Sequence, residues 1–338
     1  MLLFSEARFS VSGVGRKRAK EICRGVDLKV LLIGATGYIG SVVGEWLLNA
    51  RHDVVGLGRS TDACKKLRAQ GFEPLLGDLE TASSLVPHLA AFDAIIYAAY
   101  GYADPACAQR ELDAGKSHLS DILKELHGSG KTFIFTSGSG VFPDTGDVIY
   151  TEETSFAPID SPLNIARLNL ELEVRAASRS GVRSIVLRPP TVYGRGGSFM
   201  VPRFLLEHAR NHRQSIFIEG TEAKKWSVVH LEDLADLFLL ALERAPSGSL
   251  YNTASESGLT VLSIAQAISR AADLGGTTTA VSLERGREIF GHWADWWSLN
   301  NQCSGEKAKQ ELGWKPHRRA ILDDIENGSY ALSAANVS

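Results

Sequence analysis

Residues 28–40 read LKVLLIGATGYIG. A short apolar run that stops at glycine has the pattern of a strand buried on both faces and followed by a tight turn. Gly34, Gly37 and Gly40 stand at G-x-x-G-x-x-G spacing, and SVVGEWLLNA (41–50) continues with helical spacing. In that setting the glycines have a physical task. They let backbone approach a pyrophosphate and let the helix pack close to the strand, while the helix start offers free N–H groups to the phosphates. Thr36, Tyr38 and Ile39 fill the same turn and helix start, so residues 34–40 are expected to hold the phosphates of a dinucleotide.

The pattern repeats outward from this point. DVVGLGRS (53–60), EPLLGDL (73–79), DAIIYAAY (93–100), KTFIFTSG (131–138) and GVRSIVLRPPTVYG (181–194) each read as a buried strand, with helical segments between most of them. Strand and helix alternating in this way predict an α/β fold, a doubly wound parallel (Rossmann) sheet with a smaller C-terminal substrate lobe. The expected division is an N-terminal extension over 1–27 and a nucleotide-binding domain over 28–195, with 225–253 returning to it. The substrate lobe is then expected over 196–224 and 254–330.

The totals exclude several classes. A formal net charge of −3 gives no bulk attraction to nucleic acid or anionic lipid. No apolar run has the length of a membrane-crossing helix. Cys23, Cys64, Cys107 and Cys303 show no CxxC spacing, so no metal site or disulfide framework is expected, and a cytoplasmic location fits. VGRKRAKEICRG (14–25) is basic, but Glu6 and Glu21 argue against a transit peptide and favour a solvated extension.

The motifs GATGYIG (34–40), GDL (77–79), TSGSGVF (136–142), RPPTVYG (188–194), WSVVHLEDLA (226–235) and LGWKP (312–316) carry a family likeness. From about Leu28 to Pro316 the chain resembles an extended or atypical short-chain dehydrogenase/reductase, the group that includes sugar-nucleotide epimerases and dihydroflavonol-reductase-like enzymes. The resemblance implies that Asp78 and Leu79 meet the adenine. It puts Ala98, Ala99 and Tyr100 where the cofactor crosses the sheet edge, and Pro190 and Val192 beside the nicotinamide. It also implies a homodimer, built through the helix over 162–178 and its neighbour near 108–127.

The cofactor choice is read at the tip of the second strand. An acid there would select NAD, but the sequence offers Arg59 and Ser60, a guanidinium and a hydroxyl suited to a 2′-phosphate. NADP(H) is therefore expected over NAD(H).

The family's catalytic serine, tyrosine and lysine fall here on Gly138, Leu163 and Arg167. Leucine transfers no proton. Arginine can hold ribose hydroxyls but relays no proton. Ser137, Ser139 and Tyr193 are the nearest substitutes by sequence, with Tyr100, Tyr102 and His230 as further polar groups near the expected cleft. Leu163, Tyr102, Trp226 and Trp293 are expected to line the substrate, the tryptophans suiting a bulky apolar ligand or else core packing. These residues predict an NADP(H)-dependent reductase of a small, fairly apolar carbonyl, enone or imine. A cofactor-binding regulator and an epimerase or isomerase are the alternatives.

Overall fold

The computed structural model describes residues 26–78, 85–99, 118–156, 161–198 and 201–331, with the side chains of 162 and 163 left out. The N-terminal extension, Cys23, Leu79, Tyr100, Tyr102, Cys107 and the Leu163 side chain lie outside the described residues.

The chain opens with β1 (Lys29–Ile33), α1 (Tyr38–Asn49), β2 (Asp53–Gly58), α2 (Thr61–Ala69), β3 (Glu73–Leu76), β4 (Ala94–Tyr97) and β5 (Thr132–Thr136). It continues through α3 (Pro162–Ala176), β6 (Arg183–Arg188), β7 (Thr191–Gly194), β8 (Gly197–Ser198), α4 (Arg203–His212), β9 (Ser215–Ile218), β10 (Lys225–His230), α5 (Leu231–Arg244) and β11 (Ser249–Asn252). The rest is β12 (Glu256–Thr260), α6 (Val261–Ala271), β13 (Thr278–Val281), α7 (Leu283–Phe290), α8 (Trp293–Trp297), α9 (Glu306–Leu312) and α10 (Ile321–Asn327).

Seven parallel strands form the central sheet in the order β11-β6-β5-β4-β1-β2-β3. The order reverses direction at β1, between β2 and β4, and a crevice opens there at the carboxyl edge. Alternation along β1 explains the two covering layers. Val30 and Leu32 pack with Trp46 and Leu47 of α1 and Leu234 and Phe238 of α5. Leu31 and Ile33 pack on the other face with Ala166, Leu170 and Val174 of α3.

One expected strand is two. GVRSIVLRPPTVYG divides at Pro189-Pro190, where no backbone N–H is available to continue a ladder. β6 stays in the central sheet, while β7 enters a second sheet of order β12-β10-β7-β8. β10 belongs to that second sheet as well, paired with β7 and β12. β9 and β13 form a separate parallel pair. The lobe's core gathers Trp226, Ile264, Ile268, Phe290, Trp297 and Ile325.

Buried polar contacts tie the helices beside the sheet to one another and to the C-terminal segment. The Trp46 indole donates to Asp236 across α1 and α5 at 2.8 Å. Arg195 bridges Glu45 of α1 at 2.7 Å and Glu232 of α5 at 2.8 Å. The Trp314 indole donates to the Asp233 carbonyl, and the Asp233 carboxylate accepts from the backbone of His317 and Arg318.

Candidate active site

Parallel strands place the residues that follow them on one edge of the sheet. Gly34–Gly40, Arg59–Ser60, Asp78, Ala98–Ala99, Ser137–Gly140 and Pro189–Pro190 therefore share that edge. The glycine turn is drawn tight there. Gly34 has φ +89°, and a Cβ on it would stand 2.5 Å from the Ala98 carbonyl oxygen. A Cβ on Gly40 would stand 2.1 Å from the Gly34 carbonyl oxygen. Gly37 is the cap position of α1 and offers no side-chain cap, and no acid stands in the first turn, which leaves the first N–H groups of the helix and its dipole facing the turn. Thr36 and Gly37 are exposed there, and Ala98 and Ala99 are half-buried beside them. The cradle fits a dinucleotide: the side-chain-free contacts of Gly34 and Gly40 with neighbouring backbone hold the uncapped start of α1 close against the turn.

Tyr38 needs a correction at its side chain. Its hydroxyl lies 2.7 Å from the Gly194 carbonyl and 2.9 Å from that of Gly197, so the ring fastens α1 to the β7–β8 turn. Burial pushes that hydroxyl well above the usual tyrosine range. Only its backbone remains for phosphate. Ile39 packs against the core. Arg59 is exposed at the β2 tip, and the Ser60 hydroxyl accepts from the Ala63 N–H as the cap of α2. Asp78 is exposed at the end of β3.

The β5 turn and α3 build the other half. Ser137 donates its backbone N–H to Leu187, and Ser139 donates its own to Pro189, which seats the turn against the end of β6. The Ser137 hydroxyl is buried with no partner among the described residues. The Ser139 hydroxyl instead pairs with the Asn301 carboxamide, which returns a bond to the Ser139 carbonyl at 3.0 Å. Ser139 is thus a tie to the lobe rather than a free hydroxyl.

Arg167 is 3% exposed and reaches the turn. A Cβ on Gly140 would have as its nearest neighbours Arg167 Nη1 at 3.8 Å, Asn164 Oδ1 at 3.9 Å and Trp296 Nε1 at 4.0 Å. One turn further along α3, Glu171 receives Nε and Nη2 of Arg188 with both groups buried, and Arg188 stacks over Phe142 at 5.3 Å. That pair fixes the helix carrying Arg167 to the strand that ends beside the turn. Pro190 and Val192 are buried beyond it.

Two further candidates turn out to be structural. The Tyr193 hydroxyl is held between the Glu256 carboxylate at 2.9 Å and the Arg319 carbonyl at 2.8 Å. Burial and the Glu256 charge push it far above the usual tyrosine range, which removes it as a proton donor. His230 Nδ1 accepts from the Glu232 N–H and so caps α5, and its ring fills the space that a Cβ on Gly194 would need.

The capping role has a pH consequence. Burial holds the His230 imidazole at about 4, against 6.5 ordinarily. The folded value is the lower one, so this group's contribution is complete above about pH 6.5 and is lost as pH falls towards about 4. The loss comes to about 3 kcal/mol. His230→Asn, which keeps a capping oxygen but no titration, should flatten the fall in urea-measured stability across that window. An unchanged fall would assign it to other groups.

The tryptophans also sort differently. Trp226 is 1% exposed, with its indole N–H on the Leu299 carbonyl, so it belongs to the core and not to a substrate wall. It helps to line an apolar cavity of about 20 Å³ with Ile216, Ile264, Phe290 and Trp297, room for no more than a water-sized molecule. Trp293 is half-buried on the lobe. The indole that reaches the site is Trp296. Among the three tryptophans of HWADWWS no spacing singles it out. Asn164, three residues before Arg167 and so on the same helix face, was open to sequence reasoning and was missed.

Residues 30–254 match the NAD dependent epimerase/dehydratase family. The chain belongs to that family. An uncharacterised protein of Schizosaccharomyces pombe is 33% identical over 304 residues, spanning 90% of this chain and all of that one. A UDP-glucose 4-epimerase of Corynebacterium glutamicum is 23% identical, over 88% of this chain and 94% of that one. A dTDP-glucose 4,6-dehydratase from Streptomyces venezuelae, solved with NAD and TYD bound, superposes with a TM-score of 0.72 at 19% identity, covering 89% and 96% of the two chains. The family chemistry depends on a nicotinamide dinucleotide, and the glycine cradle above fits one. No helix among the described residues is long and apolar enough to cross a membrane.

Proposed function

We propose that this epimerase/dehydratase-family protein is an NADP(H)-dependent reductase of a small, fairly apolar carbonyl, enone or imine compound. The observation that carries the reading is the inner face of α3. It presents a buried Arg167 and the half-buried Asn164 to the β5 turn, next to an indole, in a site whose Leu163 position has no acid to offer. When bound, the dinucleotide supplies hydride. Gly34, Gly37 and Gly40 admit its pyrophosphate, Arg59 and Ser60 receive the 2′-phosphate, and Arg167 holds the nicotinamide ribose hydroxyls. Trp296 gives the substrate space an apolar wall.

Among the described residues, three cations that would suit a nucleotide-sugar diphosphate each stand beside an acidic partner, and for Arg195 both partners are largely buried. Arg195 is paired with Glu45 and Glu232, Arg203 with Glu207, and Lys225 with Asp147. This favours a smaller substrate over a sugar nucleotide. On α3, Ile165 is 44% exposed and Leu172 is 55% exposed, one face apart by two turns, which supports a homodimer through this helix.

Steady-state oxidation of NADPH with a panel of carbonyls tests the reaction. Titration with NADPH and NADH, followed by tryptophan fluorescence, tests the cofactor. Arg59→Ala should cost on the order of 1.5–3 kcal/mol of NADPH binding, as for a charged hydrogen bond, and leave NADH binding unchanged. Equal affinity for the two cofactors in the wild type would overturn the assignment.

A further inference from the structure

The space over Gly140 is bounded by three nitrogen-bearing groups. Arg167 Nη1, Asn164 Oδ1 and Trp296 Nε1 stand 3.8–4.0 Å from the point where a Cβ would be, and among the described residues nothing outside the turn lies closer. Glycine at 140 keeps that point open. Among the described residues the Asn164 carboxamide and the Trp296 indole N–H have no hydrogen-bond partner, and both residues are half-buried, within reach of a ligand. An amide exchanges its donor and acceptor ends by rotation, so Asn164 can present N–H to the same point.

Their positions are fixed from behind. Asn301 pairs with Ser139 and donates its backbone N–H to Lys225. Trp296 packs on Trp226 with ring centroids 5.6 Å apart, and Trp226 is anchored to Leu299. The lobe segment carrying Trp296 is thus pinned to the turn carrying Gly140, while the Arg188–Glu171 pair pins the helix carrying Asn164 and Arg167.

We propose that Asn164 and Trp296, with the Arg167 charge beside them, bind the substrate's carbonyl oxygen and stabilise the negative charge that develops on it. The proposal rests on the reductase reading and deepens it: the substrate is a compound whose reacting group is an unhindered carbonyl oxygen. Hydride adds to the carbonyl carbon, and the C=O π pair moves onto oxygen. Two electrons reach the carbonyl from the reduced nicotinamide. The resulting alkoxide, held by the two N–H groups, takes a proton from water, which leaves hydroxide. No side chain need transfer a proton. Preorganised donors aimed at developing charge replace the acid, and one such donor is worth about 10²–10³ in rate.

4-Nitrophenol, whose phenolate mimics the alkoxide and is coloured, tests the site in the full-length protein with and without NADP⁺. The bound phenol should ionise at lower pH than the free one. Trp296→Phe keeps the ring and removes the N–H, and Asn164→Leu keeps the volume and removes the amide. Each should weaken phenolate binding about tenfold or more, as for a hydrogen bond to a charged group, with NADP⁺ affinity and circular dichroism unchanged. With an accepted carbonyl, each should lower kcat far more than it raises KM. Phenolate binding as tight in both variants as in the wild type overturns the proposal, even where NADPH is oxidised. Variant-sensitive phenolate binding with no turnover of any carbonyl keeps the donor site and overturns the reductase reading.

Discussion

Glu171→Gln should unfold at much lower urea than the wild type, with a loss of about 3–5 kcal/mol. Glu171 and Arg188 are both buried, with side chains 1% and 7% exposed. Nε of Arg188 lies 2.9 Å from each carboxylate oxygen. Glutamine keeps the shape but leaves the guanidinium charge without its counter-ion away from water, and such a charge is expensive. The double variant Glu171→Leu with Arg188→Met should recover most of the loss, because a buried pair exchanged for apolar groups of similar volume is close to neutral. The double variant should still bind its ligands less well than the wild type, since α3 then lacks the directional tie that sets Arg167 against Gly140. A Glu171→Gln protein as stable as the wild type would show that the charge of Arg188 is neutralised elsewhere.

The second large effect is expected at Gly40. In Gly40→Ala the new Cβ would meet the Gly34 carbonyl oxygen at 2.1 Å and the Gly34 carbonyl carbon at 2.7 Å. Those are backbone atoms, and they have nowhere to go, because Gly34 is itself held against the backbone of Ala98. Helix α1 must therefore move off the turn. Overpacking of this kind costs about 1–3 kcal/mol of stability. Binding should suffer as well: a helix moved off the turn takes N–H groups away from the phosphates, and one hydrogen bond to a charged group is worth about 1.5–3 kcal/mol, roughly 10- to 100-fold in affinity. Gly37→Ala is the comparison, since its Cβ would approach the Gly34 oxygen only to 3.1 Å. NADPH titration by fluorescence should rank the wild type first, Gly37→Ala next and Gly40→Ala last. Equal affinity in Gly40→Ala would separate the glycine turn from phosphate binding.

What the sequence disclosed follows from which forces are local. A strand buried on both faces must be apolar throughout, so β1, β2, β4 and β5 announce themselves, and the glycine spacing places the phosphate cradle. The second sheet was hidden because Arg188-Pro189-Pro190-Thr191 looks continuous in composition, although the prolines force the chain from one sheet into another. Tyr193 and His230 read as chemistry because hydroxyl and imidazole are chemically versatile. Their partners, Glu256, Arg319 and the start of α5, lie far along the chain or depend on the fold for their position. Asn164 and Trp296 meet over Gly140 from segments far apart in the chain, next to the Ser139–Asn301 tie, and no periodicity encodes that.

The order of strands in the central sheet also governs how the chain leaves the ribosome. β6 is complete at Arg188, yet its outer neighbour β11 is not made until Asn252, after the whole of β7 to α5. Throughout that interval the nascent sheet ends in an open row of backbone donors and acceptors at Ile185–Arg188, the residues that Ser249–Asn252 will pair. An exposed edge of this kind templates pairing with other chains. The middle of synthesis is therefore a stretch in which this edge can template pairing with other chains, and the four residues of β11 close it.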